Sequence, residues 1–160
     1  MKHLVLFEKF YGAQPELLYH FTRNERLAGI LRDGNLCGSE GVVWDEEDGA
    51  TISTTTNPRY NELGHDIVGE CRLTFLAERL AQDFDCYEEE DEGYVEMRAA
   101  ELVKAGVAPD AAAEQAREHQ VIIKTDALDT AYIERVDFFV APEPALQDML
   151  RAANIPFGSL

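Results

Sequence analysis

Hydrophobic and polar positions along this chain fall into short blocks, some with the alternation of a strand and some with the three-to-four spacing of a helix. The compact, aromatic-rich run Leu17-Leu18-Tyr19-His20-Phe21-Thr22, set off by Gln14-Pro15-Glu16, predicts a buried strand. Leu27, Ile30 and Leu31 then recur at helical spacing; Thr22 or Asn24 is placed to cap this helix and Asp33-Gly34-Asn35 to end it. Thr51-Ile52-Ser53-Thr54-Thr55 is β-branched and predicts a strand that stops at Asn57-Pro58. Glu70 to Phe75 alternates and predicts another strand, followed by a short helix from Ala77 to Ala81. Val95 to Lys104 reads as a helix, Ala108-Pro109-Asp110 opens a further one, and Val121-Ile122-Ile123 is a buried strand. Tyr132 to Val140 predicts the last strand and Glu143 to Ala153 a closing amphipathic helix. Two shorter candidates are a strand over residues 3–7 and one at Val42-Val43-Trp44, inside a glycine-rich loop over 37–49. Residues 82–93 carry Asp83, Asp85, Glu88, Glu89, Glu90, Asp91 and Glu92, whose mutual repulsion predicts a solvated loop.

This order predicts an α+β domain around a mixed or antiparallel sheet. A doubly wound fold is excluded by the missing strand–helix alternation and by the lack of a G-x-G-x-x-G turn after any strand. The 160 residues have no internal repeat and no dividing linker, so the expectation is one domain over 1–160, with an acidic, helical insertion at about 82–113. A chain of this size buries about two-thirds of its surface, enough for a core without disulfide or metal staples.

Charge narrows the classes. Fourteen Lys and Arg against 31 Asp and Glu leave a formal charge of -17. Such a surface does not suit general binding to a nucleic-acid backbone or to anionic lipid, both of which require Lys and Arg. It serves solubility, or it meets a basic protein partner. Cys37, Cys71 and Cys86 are an odd number without a C-x-x-C pair or a histidine at ligand spacing, so reduced thiols and no metal site are expected. The apolar run Leu4 to Phe7 is broken by Glu8 and Lys9, no transmembrane stretch occurs and the C-terminal FGSL is not a lipidation box; a cytoplasmic location is the expectation.

The most informative chemistry lies in L-Y-H-F-T at 18–22, R-L-A-G-I-L-R-D-G-N-L at 26–36 and I-S-T-T-T-N-P at 52–58. A histidine inside an apolar strand loses solvation at both ring nitrogens, so either the protein or a ligand must satisfy them. In order and spacing these stretches resemble the ADP-ribosyltransferase superfamily, including its small bacterial and phage members. There a first strand carries Y-H-x-T, a helix ending I-L-x-x-G follows, a second strand carries S-T and a late strand starts with a glutamate. The resemblance runs through about 17–36, 51–60, 70–80 and 115–139.

That resemblance implies a split sheet with nicotinamide adenine dinucleotide (NAD) in its cleft, as substrate and with no metal. Its implied roles pass to this chain residue by residue. His20 matches the histidine that bonds the adenosine-side ribose or orients the dinucleotide, and Thr22 the hydroxyl beside it. Ser53 and Thr54 match the pair that braces the nicotinamide pocket and the catalytic acid. Tyr60 is the candidate to stack on the nicotinamide, and Glu118 the match for the catalytic glutamate. Glu114 and Gln120 flank that position, and a glutamine in the catalytic place would imply lost transferase activity. Cleaving the N-glycosidic bond develops oxocarbenium charge, which one carboxylate near the ribose 2′-hydroxyl stabilises.

Each of these residues also has an ordinary structural use. Ser53 to Thr56 suit an edge strand, Tyr60 a loop cover, Glu118 a solvated helix end and His20 a hydrogen-bonded core position. Three functions therefore stand open. The first is a mono-ADP-ribosyltransferase acting on a macromolecular acceptor, as a toxin or phage effector. The second is an inactive, acidic binding or inhibitor protein on the same fold. The third is an RNA 2′-phosphotransferase-like enzyme, disfavoured because the basic residues are scattered, with Arg23, Arg26 and Arg32 alone near the first motif.

Overall fold

A computed structural model describes residues 15–38, 50–63, 69–89, 92–117 and 119–160. Nine strands are described: β1 (Leu17–Thr22), β2 (Asn35–Cys37), β3 (Thr51–Thr55), β4 (Cys71–Leu76), β5 (Asp85–Glu89), β6 (Gln120–Lys124), β7 (Ala127–Asp129), β8 (Ile133–Phe138) and β9 (Phe157–Ser159). Five helices accompany them: α1 (Asn24–Asp33), α2 (Ala77–Asp83), α3 (Glu92–Lys104), α4 (Pro109–Gln115) and α5 (Pro144–Ala152). Seven strands form one sheet in the order β5-β6-β3-β1-β4-β8-β9, and β2 pairs with β7 in a second. All pairings are antiparallel except β8 with β9. The expected α+β fold with a mixed sheet is the one found.

Strand alternation gives the large sheet two unlike faces. Leu18, Ile52, Leu73, Phe75, Val121, Ile123 and Val136 share a buried cluster with Leu27 and Ile30 of α1, Leu80 of α2 and Leu146 and Leu150 of α5. Each such side chain contributes about 1.5–3 kcal/mol on leaving water, so this one cluster fixes both the sheet and the helices on it. The register puts Arg135, Thr74, Tyr19, Thr55 and Gln120 in one row on the opposite face, running across five strands. Val95, Ala112, Ala116 and Ile122 are buried apart from the main cluster.

Several expectations are corrected. Residues 82–93 are not a loop throughout, because 85–89 form β5 along β6. Cys86 is buried opposite Ile123, and Asp85 pairs in register with Lys124, whose ammonium also lies 5.5 Å from the Tyr87 ring. Burial and one cation thus outweigh the repulsion among carboxylates. The strand expected from Tyr132 to Val140 begins at Ile133, after a short 3-10 turn over Thr130–Tyr132 that Asp129 caps through the Ala131 N–H at 2.8 Å. Neither Thr22 nor Asn24 caps α1: Asn24 is its first residue, and its N–H donates to Glu70 Oε2 at 2.8 Å. A carboxylate from a neighbouring strand end satisfies the helix terminus in place of a local hydroxyl or amide. The short strands β2, β7 and β9 carry no clear periodic signal. The candidate strands at 3–7 and 42–44 lie outside the described residues.

Candidate functional site

Two halves of the large sheet meet between β1 and β3, and there they barely pair. β1 is in register with β4 from Leu17 to Thr22, and β3 with β6 from Thr51 to Thr55, yet β1 and β3 share the single pair Tyr19–Thr55. Next to that pair His20 Nδ1 donates to the Ser53 carbonyl at 2.8 Å, so an imidazole bridges the gap that ladder bonds leave open. A carbonyl only accepts, which places the proton on Nδ1 and leaves Nε2 as an acceptor. Burial lowers the His20 pKa below its ordinary 6.5; the Ser53 bond opposes that shift, and the charge of Arg26 adds to it. The ring is therefore neutral at pH 7, half-buried, and offers a lone pair at the split.

The other expected residues divide around this point. Thr22 is buried, and its carbonyl accepts from the Glu70 N–H at 2.8 Å and from the Cys71 thiol at 3.6 Å. Thr54 is buried too, and its hydroxyl donates to the Val121 carbonyl at 2.8 Å, which ties β3 to β6. Ser53 has an exposed side chain and contributes its carbonyl to His20. Tyr60 opens the 3-10 turn Tyr60–Leu63, half-buried, with its ring 5.7 Å from that of Phe21, the neighbour of His20. The structure thus joins His20 to Ser53, while Tyr60 lies against Phe21, the next residue of β1, whose side chain strand alternation turns to the other face; the hydroxyls of Ser53 and Thr54 likewise fall on opposite sides of their strand.

Glu118 lies outside the described residues, but its flanks are held. Arg117 Nη1 meets Glu92 Oε1 at 3.2 Å, and the Thr56 N–H donates to the His119 carbonyl at 3.1 Å. His119 has a positive φ of 50° and its Nε2 is 3.1 Å from Glu114 Oε1, so Glu114 is engaged at the helix end. Gln120 is the first residue of β6, in register with Thr55 on one side and Glu89 on the other.

Three further residues shape the site, and the sequence motifs assigned none of them a binding role. Phe21 carries the Tyr60 ring and packs on Phe139 at 6.0 Å. Arg26, exposed on the first turn of α1, puts positive charge beside His20. Arg72 links β4 to the turn that bears Tyr60, donating to the Pro58 carbonyl at 2.8 Å. Strand alternation is the only sequence signal that distinguishes Phe21 and Arg72 from their neighbours. Among the described residues no group of three or more His, Cys, Asp or Glu is arranged to hold a metal ion, and no helix is long and apolar enough to cross a membrane.

The sequence matches no family model and no curated protein. Solved structures do match. Thermus sp. 2.9 DarT in complex with NAD+ superposes with a TM-score of 0.57 at 14% identity, covering 94% of this chain and 98% of that one. The same protein with carba-NAD+ gives 0.55 at 15% identity, covering 93% and 97%. With ADP-ribosylated ssDNA it gives 0.57 at 14% identity, covering 95% and 97%. The chain therefore shares the fold of these DarT structures over nearly its whole length.

Proposed function

We propose that this protein is a mono-ADP-ribosyltransferase that takes NAD+ as substrate at the β1–β3 split and transfers its ADP-ribose to a macromolecular acceptor. The observation that carries this reading is His20: a neutral imidazole, its Nδ1 committed to Ser53, presents an acceptor nitrogen where the sheet divides. A ribose hydroxyl is the donor it suits. The shared fold supports the reading, since the DarT structures hold NAD+, carba-NAD+ and ADP-ribosylated ssDNA.

In this reading His20 accepts from the ribose, Arg26 supplies positive charge for the pyrophosphate, and Tyr60 stacks on the nicotinamide. Thr22 and Thr54 lie buried in their strands and hold those strands in place without touching the ligand, and the Ser53 carbonyl fixes the His20 tautomer. Glu118 is the catalytic carboxylate. The glycosidic bond breaks with its electron pair passing to the nicotinamide nitrogen, an acceptor nucleophile bonds to the ribose C1′, and the acceptor's proton leaves to the carboxylate or to water. The carboxylate stabilises the positive charge that develops between these events. Single-stranded DNA is the acceptor class to test first, on the strength of the third DarT complex.

A second reading is favoured by one observation: β6 begins with Gln120, an amide that does not ionise. If the first position of that strand is the acid's place, the protein binds NAD+ and does not transfer. Labelled NAD+ incubated with single-stranded oligonucleotides and with cell protein separates the two. Transfer by the wild type, lost at least 100-fold in Glu118→Gln and kept in Gln120→Ala, supports the enzyme; this is the scale of loss expected on removing a charge-stabilising group, about 10²–10³. An inert wild type that gains transfer in Gln120→Glu supports the binding protein. Undiminished transfer in Glu118→Gln contradicts the assigned acid.

A further inference from the structure

Arg72 touches three parts of the molecule at once. Its Nη2 meets Asp137 Oδ2 at 2.9 Å, its Nη1 donates to the Pro58 carbonyl at 2.8 Å, and its guanidinium carbon sits 5.1 Å from the centre of the Tyr19 ring. Asp137 is only 5% exposed, and its other oxygen takes Arg135 Nε at 2.8 Å, so the anchor of this arginine is itself fixed. Few groups are better suited to holding a backbone carbonyl than a planar guanidinium locked by stacking and by a carboxylate.

The carbonyl it holds belongs to the turn that carries Tyr60. Pro58 has no N–H, so its carbonyl is its one backbone hydrogen-bonding group. Within the turn the bonds are local: Asn57 N–H to Thr55 Oγ1 at 3.0 Å, Arg59 N–H to Asn57 Oδ1 at 2.9 Å and Tyr60 N–H to the Asn57 carbonyl at 3.3 Å. Beyond Tyr60, Asn61 bonds Gly69 in both directions, at 2.9 and 3.0 Å. Arg72 before Tyr60 and the Asn61–Gly69 clamp after it tie the segment to β4 and its leading end, with the Tyr60 ring laid on Phe21 between them.

We propose that Arg72 is a positioning residue that, through the Pro58 carbonyl, sets the Tyr60 ring for recognition of the nicotinamide end of NAD+ and not of its ADP-ribose part. This rests on the reading of Tyr60 as the stacking residue. It makes a statement about selectivity between a ligand that carries the nicotinamide and one that lacks it, which a merely structural arginine would not affect.

Calorimetric titration of carba-NAD+ and of ADP-ribose into the wild type, Arg72→Gln, Arg72→Lys, Tyr60→Ala and the double variant Arg72→Gln/Tyr60→Ala is the test. In Arg72→Gln and in Tyr60→Ala the Kd for carba-NAD+ rises about tenfold while that for ADP-ribose stays within about twofold. The double variant loses no more than the larger single loss, the sign that both changes remove one interaction. Arg72→Lys keeps its charge beside Asp137 but has no fork to reach Pro58 as well, so it follows Arg72→Gln, and it decides the matter if Arg72→Gln does not fold. Equal losses for both ligands, single losses that multiply, or an unchanged selectivity overturn the proposal with the NAD+ reading intact. A folded wild type that binds neither ligand overturns the NAD+ reading, and this proposal with it.

Discussion

Thr54 directs its hydroxyl to the Val121 carbonyl, and on the adjacent strand His20 directs its ring to the Ser53 carbonyl. The first bond is buried and closes on itself within β3 and β6; the second leaves an acceptor at the split. Thr54→Val keeps the shape and removes one net hydrogen bond, so it costs about 1 kcal/mol, or about 2–4 °C in Tm, with NAD+ affinity unchanged; a melt and a titration on the same protein check both halves. A loss of affinity with no loss of stability would return Thr54 to the binding surface. His20 was legible in the sequence because a polar ring in an apolar strand requires partners. What it bonds was not legible, since Ser53 lies 33 residues away and strand register is absent from the sequence. Arg72 and Asp137 were less legible still: both occupy alternating positions of strands, separated by 65 residues, and only their register pairs them.

At the level of elements, α1 shows which signals are local. Gly34 has φ of +80° at the helix end and donates its N–H to the Ile30 carbonyl, as the glycine after the apolar pattern predicted. Gly29, in the middle of the same helix, has nothing within 4 Å of where a Cβ would sit, and neither has Gly34. Alanine at the two positions therefore acts in opposite directions: Gly34→Ala destabilises by about 1–2 kcal/mol through the left-handed backbone, and Gly29→Ala stabilises by about 0.5–1 kcal/mol through helix propensity. Paired thermal melts check this, and a common sign for the two would contradict the helix end as described. The capping group of α1 escaped the sequence because Glu70 comes from 46 residues away. β5 escaped it for a related reason: its carboxylates read as a solvated run, whereas pairing with β6 and the burial of Cys86 decide its state.

For the molecule as a whole, the order of strands and helices was sufficient to indicate an α+β fold, the motifs at 18–22, 26–36 and 52–58 carried the resemblance to the ADP-ribosyltransferases, and the match to DarT along nearly the full chain agrees with the fold. The split between β1 and β3 was implied by that likeness alone; nothing in the alternation of either strand shows that they pair at one position. The net charge of -17 likewise gave no hint of the cationic groups around His20 and Tyr19, because a total says nothing of placement. The central claim is that NAD+ binds at this split through a neutral His20. It is tested most directly by thermal unfolding with and without NAD+, in the wild type and in His20→Ala, at pH 7.5 and through a descending pH series. A ligand at ten times its Kd adds about 1.4 kcal/mol, or about 3–6 °C. The His20 pKa is lowered in the folded protein, so its contribution to stability is complete above the ordinary 6.5 and declines as pH falls through the lowered value. Protonation removes the Nε2 acceptor over the same range, and the NAD+ shift declines with it. NAD+ is expected to give a clear upward shift at pH 7.5 that declines only as pH falls through the lowered His20 value, and that is absent in His20→Ala. A folded wild type with no shift at any NAD+ concentration, or a shift that His20→Ala retains in full, would contradict it.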